Sequence, residues 1–313
     1  MESLQKGFLS LLNASNPSHH EPFLEWLRIS LPDMIRTVSP APAANTIKPV
    51  IRLQLREISN DIRAHLPLEA VMPSESIHHP DSEDFLHLDA FLYDEEDEEK
   101  LVEDGKLPKQ ICGDCGSKNT RQIKLITHSC SKDLLEYIFR NLLPLGLEGK
   151  TIVDVGSRLG AVLYGAYFFS NASKIIGIEM NPDLCVLQEQ IINKYKLGNR
   201  VQVVRGEMTT LPEVFNSADV VILNNVFDWF MSPELQVKMW LFLRSVIKPG
   251  SLIVTVPSLQ ESLQHLPTGI VLETWVRQLN PALPMPHGID EYEDEPIAKV
   301  QMYQVIQNTP LMG

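Results

Sequence analysis

The sequence predicts an α/β chain built on a doubly wound, mostly parallel sheet. The apolar run Thr151-Ile152-Val153-Asp154-Val155 contains an acid near its end and passes at once into the turn Gly156-Ser157-Arg158-Leu159-Gly160. A second apolar run, Lys174-Ile175-Ile176-Gly177-Ile178, follows after a stretch long enough for a crossover helix and ends in Glu179. Short apolar runs then alternate with helical patterns as far as Pro257, the rhythm of parallel strands joined by helices.

Each element has its own justification. Two neighbouring parallel strands tipped with carboxylates, with a glycine turn after the first, make a place for a nucleoside with a free ribose diol. A dinucleotide would want Gly at positions 156, 158 and 161; Ala161 is tolerated by that pattern and Arg158 is not. Met180-Asn181-Pro182-Asp183 opens a helix with an N-cap, a first-turn Pro and an acid, and Leu184, Leu187, Ile191 and Ile192 continue it at helical spacing. Val201-Gln202-Val203-Val204 is a third strand, leading to Gly206-Glu207-Met208. Asp219 to Asn225 is a fourth strand with a polar tip that faces the ligand crevice, so Asn224 and Asn225 can address a substrate. Of the aromatics that follow, Phe227, Trp229 and Phe230, at least two are read as core. Ser232-Pro233-Glu234 starts the next helix, Lys248-Pro249-Gly250 is a turn, and Leu252 to Val256 is a fifth strand. Residues 258–280 read as mainly helical, with Trp275 as a core anchor. Lys299 to Ile306 reads as a late strand.

From Lys150 to Pro257 this order and spacing resembles the class I S-adenosylmethionine-dependent methyltransferases. Their acid-x-Gly-x-Gly-x-Gly turn is matched at Asp154, Gly156 and Gly160 and missed at Arg158. The resemblance implies that Asp154 and the backbone of Gly156 and Gly160 hold the methionine end of the cofactor, with Ser157 beside them. It implies that Glu179, next to Met180, takes the ribose hydroxyls. It places Glu207 on the adenine amino group and Met208 on the ring, with Asn224 in the same contact set. It makes the late strand an antiparallel edge. Asn224-Asn225-Val226-Phe227 further resembles motif IV of the disruptor-of-telomeric-silencing type of histone lysine methyltransferase. Methyl transfer needs no covalent enzyme intermediate, so catalysis rests on positioning and desolvation. Asn224 or Asn225 would align the acceptor, and His128 is the candidate general base.

The 313 residues, 44% of them hydrophobic, suffice for one large domain or two small ones. Three regions are expected: a helical and acidic region 1–108, a Cys-containing hairpin 109–130, and a methyltransferase-like domain 131–313. In the first, apolar residues at helical spacing include Phe8, Leu9, Leu11 and Leu12, then Phe23, Leu24 and Leu27, then Ile51 to Ile62; residues 39–44 read as a linker. His87 to Tyr93 is expected to dock on the body. Ser131 is expected to cap an amphipathic helix through Leu143. Cys112-Gly113-Asp114-Cys115 resembles a zinc-ribbon knuckle, and His128 with Cys130 would complete four ligands, giving a small zinc-ribbon-like hairpin; a hairpin without metal is the competing reading. A third reading puts His128 and Ser129 at the cofactor crevice.

Net charge is −13. That argues against nucleic acid as partner and for a protein substrate rich in Lys or Arg, or a small molecule. The acidic runs Asp94 to Glu99 and Asp290 to Glu295 are read first as solvated loops. No apolar run reaches membrane-spanning length, no secretory signal is evident, and four cysteines fit reduced thiols, so a cytoplasmic or nuclear location is expected. An alternative function, a catalytically inactive scaffold of the same fold that binds protein partners, is motivated by Arg158, a bulky cation in a glycine turn.

Overall fold

A computed structural model describes residues 42–75, 85–108, 110–112, 120–122, 124–227, 231–283 and 296–308. The chain divides into a unit of residues 1–52 and a unit of residues 53–313. The described part of the first is the opening of helix α1 (Pro42–Arg63). The expected linker at 39–44 therefore gives way to helix from Pro42, because a proline at the first helical position has no N–H to leave unpaired and a preset φ. The earlier helical patterns, Phe8 to Leu27, lie outside the described residues, as do Trp229, Phe230 and the second acidic run.

Within the second unit, Leu55, Ile58 and Ile62 of α1 are buried at helical spacing. β1 (Phe85–His87) follows, and Leu88, Phe91 and Leu92 bury as expected for a docked segment. The acidic run is not a loop but the start of α2 (Glu95–Glu103). Asp94 and Asp97 form a reciprocal capping box, and acids in a first turn complement the helix dipole. Asp97 also pairs with Arg63, whose hydrogen bond holds its carboxyl below the ordinary value against burial. β2 (Gln110–Cys112) and β3 (Thr120–Gln122) form an antiparallel two-stranded ribbon at the expected hairpin, and β4 (Lys124–Ile126) pairs in parallel with β1. Ser131 caps α3 (Lys132–Tyr137), its Oγ accepting from the Leu134 N–H at 3.1 Å; a wider turn continues to Leu142.

The remaining elements run in alternation: β5 (Thr151–Val155), α4 (Ala161–Phe169), β6 (Lys174–Glu179), α5 (Pro182–Lys194), β7 (Val201–Arg205), α6 (Pro212–Ser217), β8 (Val220–Asn224), α7 (Pro233–Val246) and β9 (Leu252–Val256). Then come α8 (Leu259–Leu263), α9 (Leu272–Trp275), β10 (Val276–Leu279), α10 (Pro296–Lys299) and β11 (Gln301–Val305). They build a seven-stranded sheet of order β10-β11-β9-β8-β5-β6-β7. From β5, the neighbour of the central strand β8, the chain winds outward to β6 and β7, then crosses back to β8 and β9. β11 runs antiparallel to both its neighbours. It is therefore an inner strand, not the expected edge, and β10 lies outside it. The helical reading of 258–280 missed β10 because a short edge strand with Arg277 and Gln278 exposed carries no apolar alternation.

Alternation sorts the sheet's faces. Val153, Val155, Ile176, Ile178, Val221, Leu223 and Ile253 join one core with Phe215, Trp240, Leu243 and Trp275. Trp275 is fully buried, as its reading as an anchor requires. The opposite face carries Ile152, Asp154, Gly177 and Ile222, with Asp154 in register between Gly177 and Ile222. Among the described residues no helix is long and apolar enough to cross a membrane.

Candidate functional site

At the carboxyl ends of β5 to β8, where the strand order reverses, the structure holds a crevice of ≈ 500 Å³. That lies within the range of small-ligand sites, about 300–1,000 Å³. The turn after β5 supplies Val155, Gly156 and Arg158 to its wall; the tip of β6 supplies Ile178 and Glu179.

The glycine turn is fixed by its neighbours. The N–H groups of Gly156 and Ser157 both donate to the Ile178 carbonyl, at 2.9 and 3.0 Å. Gly156 has φ +72°, and a Cβ there would sit 2.8 Å from Val226 Cγ2, so the residue must be glycine both for its conformation and for the approach of the β8 loop. Ser157 does not face the crevice; its buried Oγ donates to Gln188 on α5 at 2.8 Å. Gly160 is the left-handed N-cap of α4, where a Cβ would meet the Tyr164 ring at 2.6 Å.

Arg158 sits in this turn at φ +45°. Its backbone N–H donates to Glu179 Oε2 at 2.9 Å, while its side chain leaves the turn. Nε donates to Glu75 Oε1 at 2.9 Å, Nη1 to Asp89 Oδ2 at 3.0 Å, and Nη2 to the Ala70 carbonyl. The cation is buried but matched by two buried carboxylates.

Glu179 accepts a second backbone bond, from Asn181 N–H to Oε1 at 2.8 Å. The carboxylate is thus fixed by backbone N–H groups where it lines the crevice. Burial pushes its pKa up, and the N–H groups of Asn181 and Arg158 oppose that rise. Asp154 lies behind the wall. Burial, then the nearby Glu179 charge, raises it to about 8. Cys185 on α5 is also buried, its thiol pushed up to about 11 by burial.

The other walls are largely apolar. Met180, Pro182 and Leu184 contribute from the start of α5, whose N-cap Asn181 accepts from Asp183 and Leu184 N–H. Gly206 and Met208 contribute from the loop after β7. Glu207 does not; it is exposed, and its Oε1 accepts from Thr209 Oγ1 at 2.8 Å. The β8 tip brings Asn224, Asn225, Val226 and Phe227. Asn224 Nδ2 donates to the His128 carbonyl at 3.3 Å, which sets two candidate catalytic residues side by side. Asn225, at φ +48°, is a residue type that tolerates this conformation. Phe227 packs edge-on against Trp240 and also faces the crevice, so it belongs to core and site together.

His128 lines the crevice and stacks on His87, with ring centroids 5.2 Å apart. Of the expected zinc ligands, Cys115 and the side chain of Cys112 lie outside the described residues. Cys130 is buried, and its thiol is raised well above its ordinary value by burial, then by Asp154 and Asp89. Among the described residues no group of three His, Cys, Asp or Glu is arranged to hold a metal.

The sequence reading missed Ser74, Glu75, Val226 and Met231 as wall residues. For Val226 a signal existed, since it directly follows the polar tip of β8. Ser74 and Glu75 arrive from 83 or more residues upstream of their partners and carry no local pattern.

The family model described as "Methyltransferase domain" matches residues 153–255, the stretch that supplies most of the crevice wall. No curated protein matches the chain. Among solved structures, an RNA methyltransferase from Salinibacter ruber in complex with S-adenosyl-L-homocysteine is similar at 16% identity and TM-score 0.36, over 57% of this chain and 93% of that one. A methyltransferase from Geobacter sulfurreducens is similar at 13% identity and TM-score 0.35, over 56% of this chain and 78% of that one. PKMT2 from Rickettsia typhi, also in complex with AdoHcy, shares 23% identity at TM-score 0.32 over 36% of this chain and 22% of that one.

Proposed function

We propose, from the match of residues 153–255 to a methyltransferase domain, that the crevice binds S-adenosylmethionine and delivers its methyl group to a protein side chain. The observation that carries the reading is Glu179. It is a buried carboxylate at the tip of β6, held by the backbone N–H groups of Arg158 and Asn181 and lining the crevice beside the glycine turn. A ribose diol donates two hydrogen bonds, and a fixed carboxylate accepts two.

The residues present fit the cofactor. Glu179 would hold the ribose, the backbone at Gly156 the methionine end, and Met180, Leu184 and Met208 the adenine. Asp154, Ser157 and Gly160 would act by shaping the turn, since they stand behind or beside the wall. Glu207 would reach the adenine amino group only by leaving Thr209. When bound, the cofactor supplies an electrophilic methyl group on a sulfonium. Asn224 and Asn225 would align the acceptor, Phe227 and Met231 would exclude water, and His128 would take a proton from a neutral nucleophile.

Arg158 loses its force as an argument for an inactive scaffold. Its guanidinium is committed to Glu75 and Asp89 and does not stand as a bare cation in the turn. A net charge of −13 supports a basic protein segment as acceptor, with a small molecule as the next class. His128 on the crevice wall favours a role there over zinc ligation with Cys112, Cys115 and Cys130; metal content after purification without chelators tests the zinc set.

The direct test is incubation with methyl-labelled cofactor and cell extract, followed by fractionation. Label in protein, absent with Glu179→Ala, is the expected result. Label confined to RNA or to small molecules would overturn the acceptor class. No label in any fraction would count against the enzyme.

A further inference from the structure

Glu75 and Ser74 stand on the crevice wall although they lie far upstream of the methyltransferase-domain match. We propose that the segment Ala70–Glu75 is a strap that completes the cofactor site, and that Arg158 is the positioning residue that latches it. The proposal rests on the reading of the crevice as an S-adenosylmethionine site.

The strap is tied at both ends. At one, the Glu75 carboxylate accepts from Arg158 Nε at 2.9 Å and from Nη2 at 3.4 Å, while its Oε2 also accepts from its own turn's Met72 N–H at 2.8 Å. At the other, Nη2 of the same guanidinium donates to the Ala70 carbonyl. Ala70 is held at φ +53°, a conformation that a non-glycine residue keeps only where its surroundings fix it. Next to Glu75, Ser74 Oγ accepts from Asn181 Nδ2 at 3.1 Å. Asn181 is the cap of α5 and binds Glu179 through its backbone. The strap therefore bridges the turn after β5 and the turn after β6, the two turns that hold the cofactor.

Arg158 joins that strap to the cofactor-binding acid. Its N–H holds Glu179, and its fork holds Glu75 and Asp89. Asp89 is itself fixed by Ser129 Oγ at 2.6 Å and by the Phe91 and Leu92 N–H groups. The fork thus has a rigid anchor on one side and the strap on the other. Glycine at this position, which the family turn favours, would free the backbone and leave the strap unlatched. A strap that supplies part of the crevice wall holds a bound ligand only while it is latched, so the latch sets residence time.

Binding of S-adenosylhomocysteine tests this by calorimetry, stopped-flow dissociation and hydrogen exchange of the 70–75 amides. In the wild-type chain, ligand should increase protection of those amides. Glu75→Gln removes the charge and Arg158→Lys removes the fork. Each should raise the dissociation rate by about tenfold or more, the scale of losing a buried charged hydrogen bond, with little change in association rate. The double variant should add little beyond the worse single one. If Arg158→Lys fails to fold, Ser74→Ala cuts the exposed tie and should raise the dissociation rate by a smaller factor. Folded variants with the wild-type dissociation rate, or unchanged protection in the wild type, would overturn the strap alone. Absence of any binding to the wild type would overturn the cofactor reading and the strap with it.

Discussion

Replacing Arg158 by glycine would complete the glycine pattern that the turn resembles, yet the structure predicts a loss of stability. Arg158 occupies a left-handed conformation that costs an L-residue about 1–2 kcal/mol, and glycine would recover most of that. Against this stand two carboxylates that would lose their cation. The side chains of Arg158, Glu75 and Asp89 are 9%, 7% and 2% exposed, so none is screened by water. Removing one partner of a buried ion pair costs about 3–5 kcal/mol. The net expectation is a destabilisation of about 1–4 kcal/mol, a sizeable part of the about 5–15 kcal/mol that keeps a typical domain folded. Urea unfolding at neutral pH measures it, with an unchanged slope and a lower midpoint. Adding Glu75→Gln and Asp89→Asn to Arg158→Gly should recover part of the loss, because no buried charge is then left unpaired. An Arg158→Gly chain as stable as wild type would refute the reasoning and reduce the cluster to an incidental contact.

Asp154, raised to about 8 by burial in the native chain, titrates near 3.9 when unfolded. Between those values the native state keeps a proton that the unfolded state has released, so stability falls as pH climbs through that window. Asp154→Asn should remove that fall, and parallel pH–stability curves for the two proteins would contradict it. Gly177→Ala puts a Cβ 2.6 Å from Ser157 Oγ and 2.8 Å from Leu163 Cδ1, so overpacking should cost about 1–3 kcal/mol in thermal or urea unfolding. Gly156→Ala should weaken S-adenosylhomocysteine binding about tenfold or more through the clash with Val226, and Val226→Ala should restore part of it in a titration.

Much of the architecture was legible because β5 to β9 are buried parallel strands, which write themselves as apolar runs separated by capped helices. Asn181 and Ser232 were readable as caps for the same reason: a local hydrogen bond needs only local residues. β10 was not, since an exposed edge strand bears no such pattern. Gly156, Glu179, Met208 and the paired asparagines were legible as crevice residues because the tips of parallel strands open on a crevice in predictable places. Their partners were harder. Ser157 and Gly160 share the turn but serve α5 and α4, a difference of side-chain direction that spacing cannot express. Arg158 read as an obstruction because its partners, Glu75 and Asp89, lie 83 and 69 residues upstream, where no local spacing ties them to the turn.

The central claim is that Glu179 at the tip of β6 grips the ribose of an adenosyl ligand. Thermal and chemical unfolding with and without S-adenosylhomocysteine tests it most directly. At a ligand concentration 100 times the dissociation constant, the wild-type chain should gain about 2.7 kcal/mol, and Glu179→Ala should gain almost none. A wild-type chain whose unfolding ignores the ligand, or a Glu179→Ala chain stabilised as much as wild type, would contradict the account.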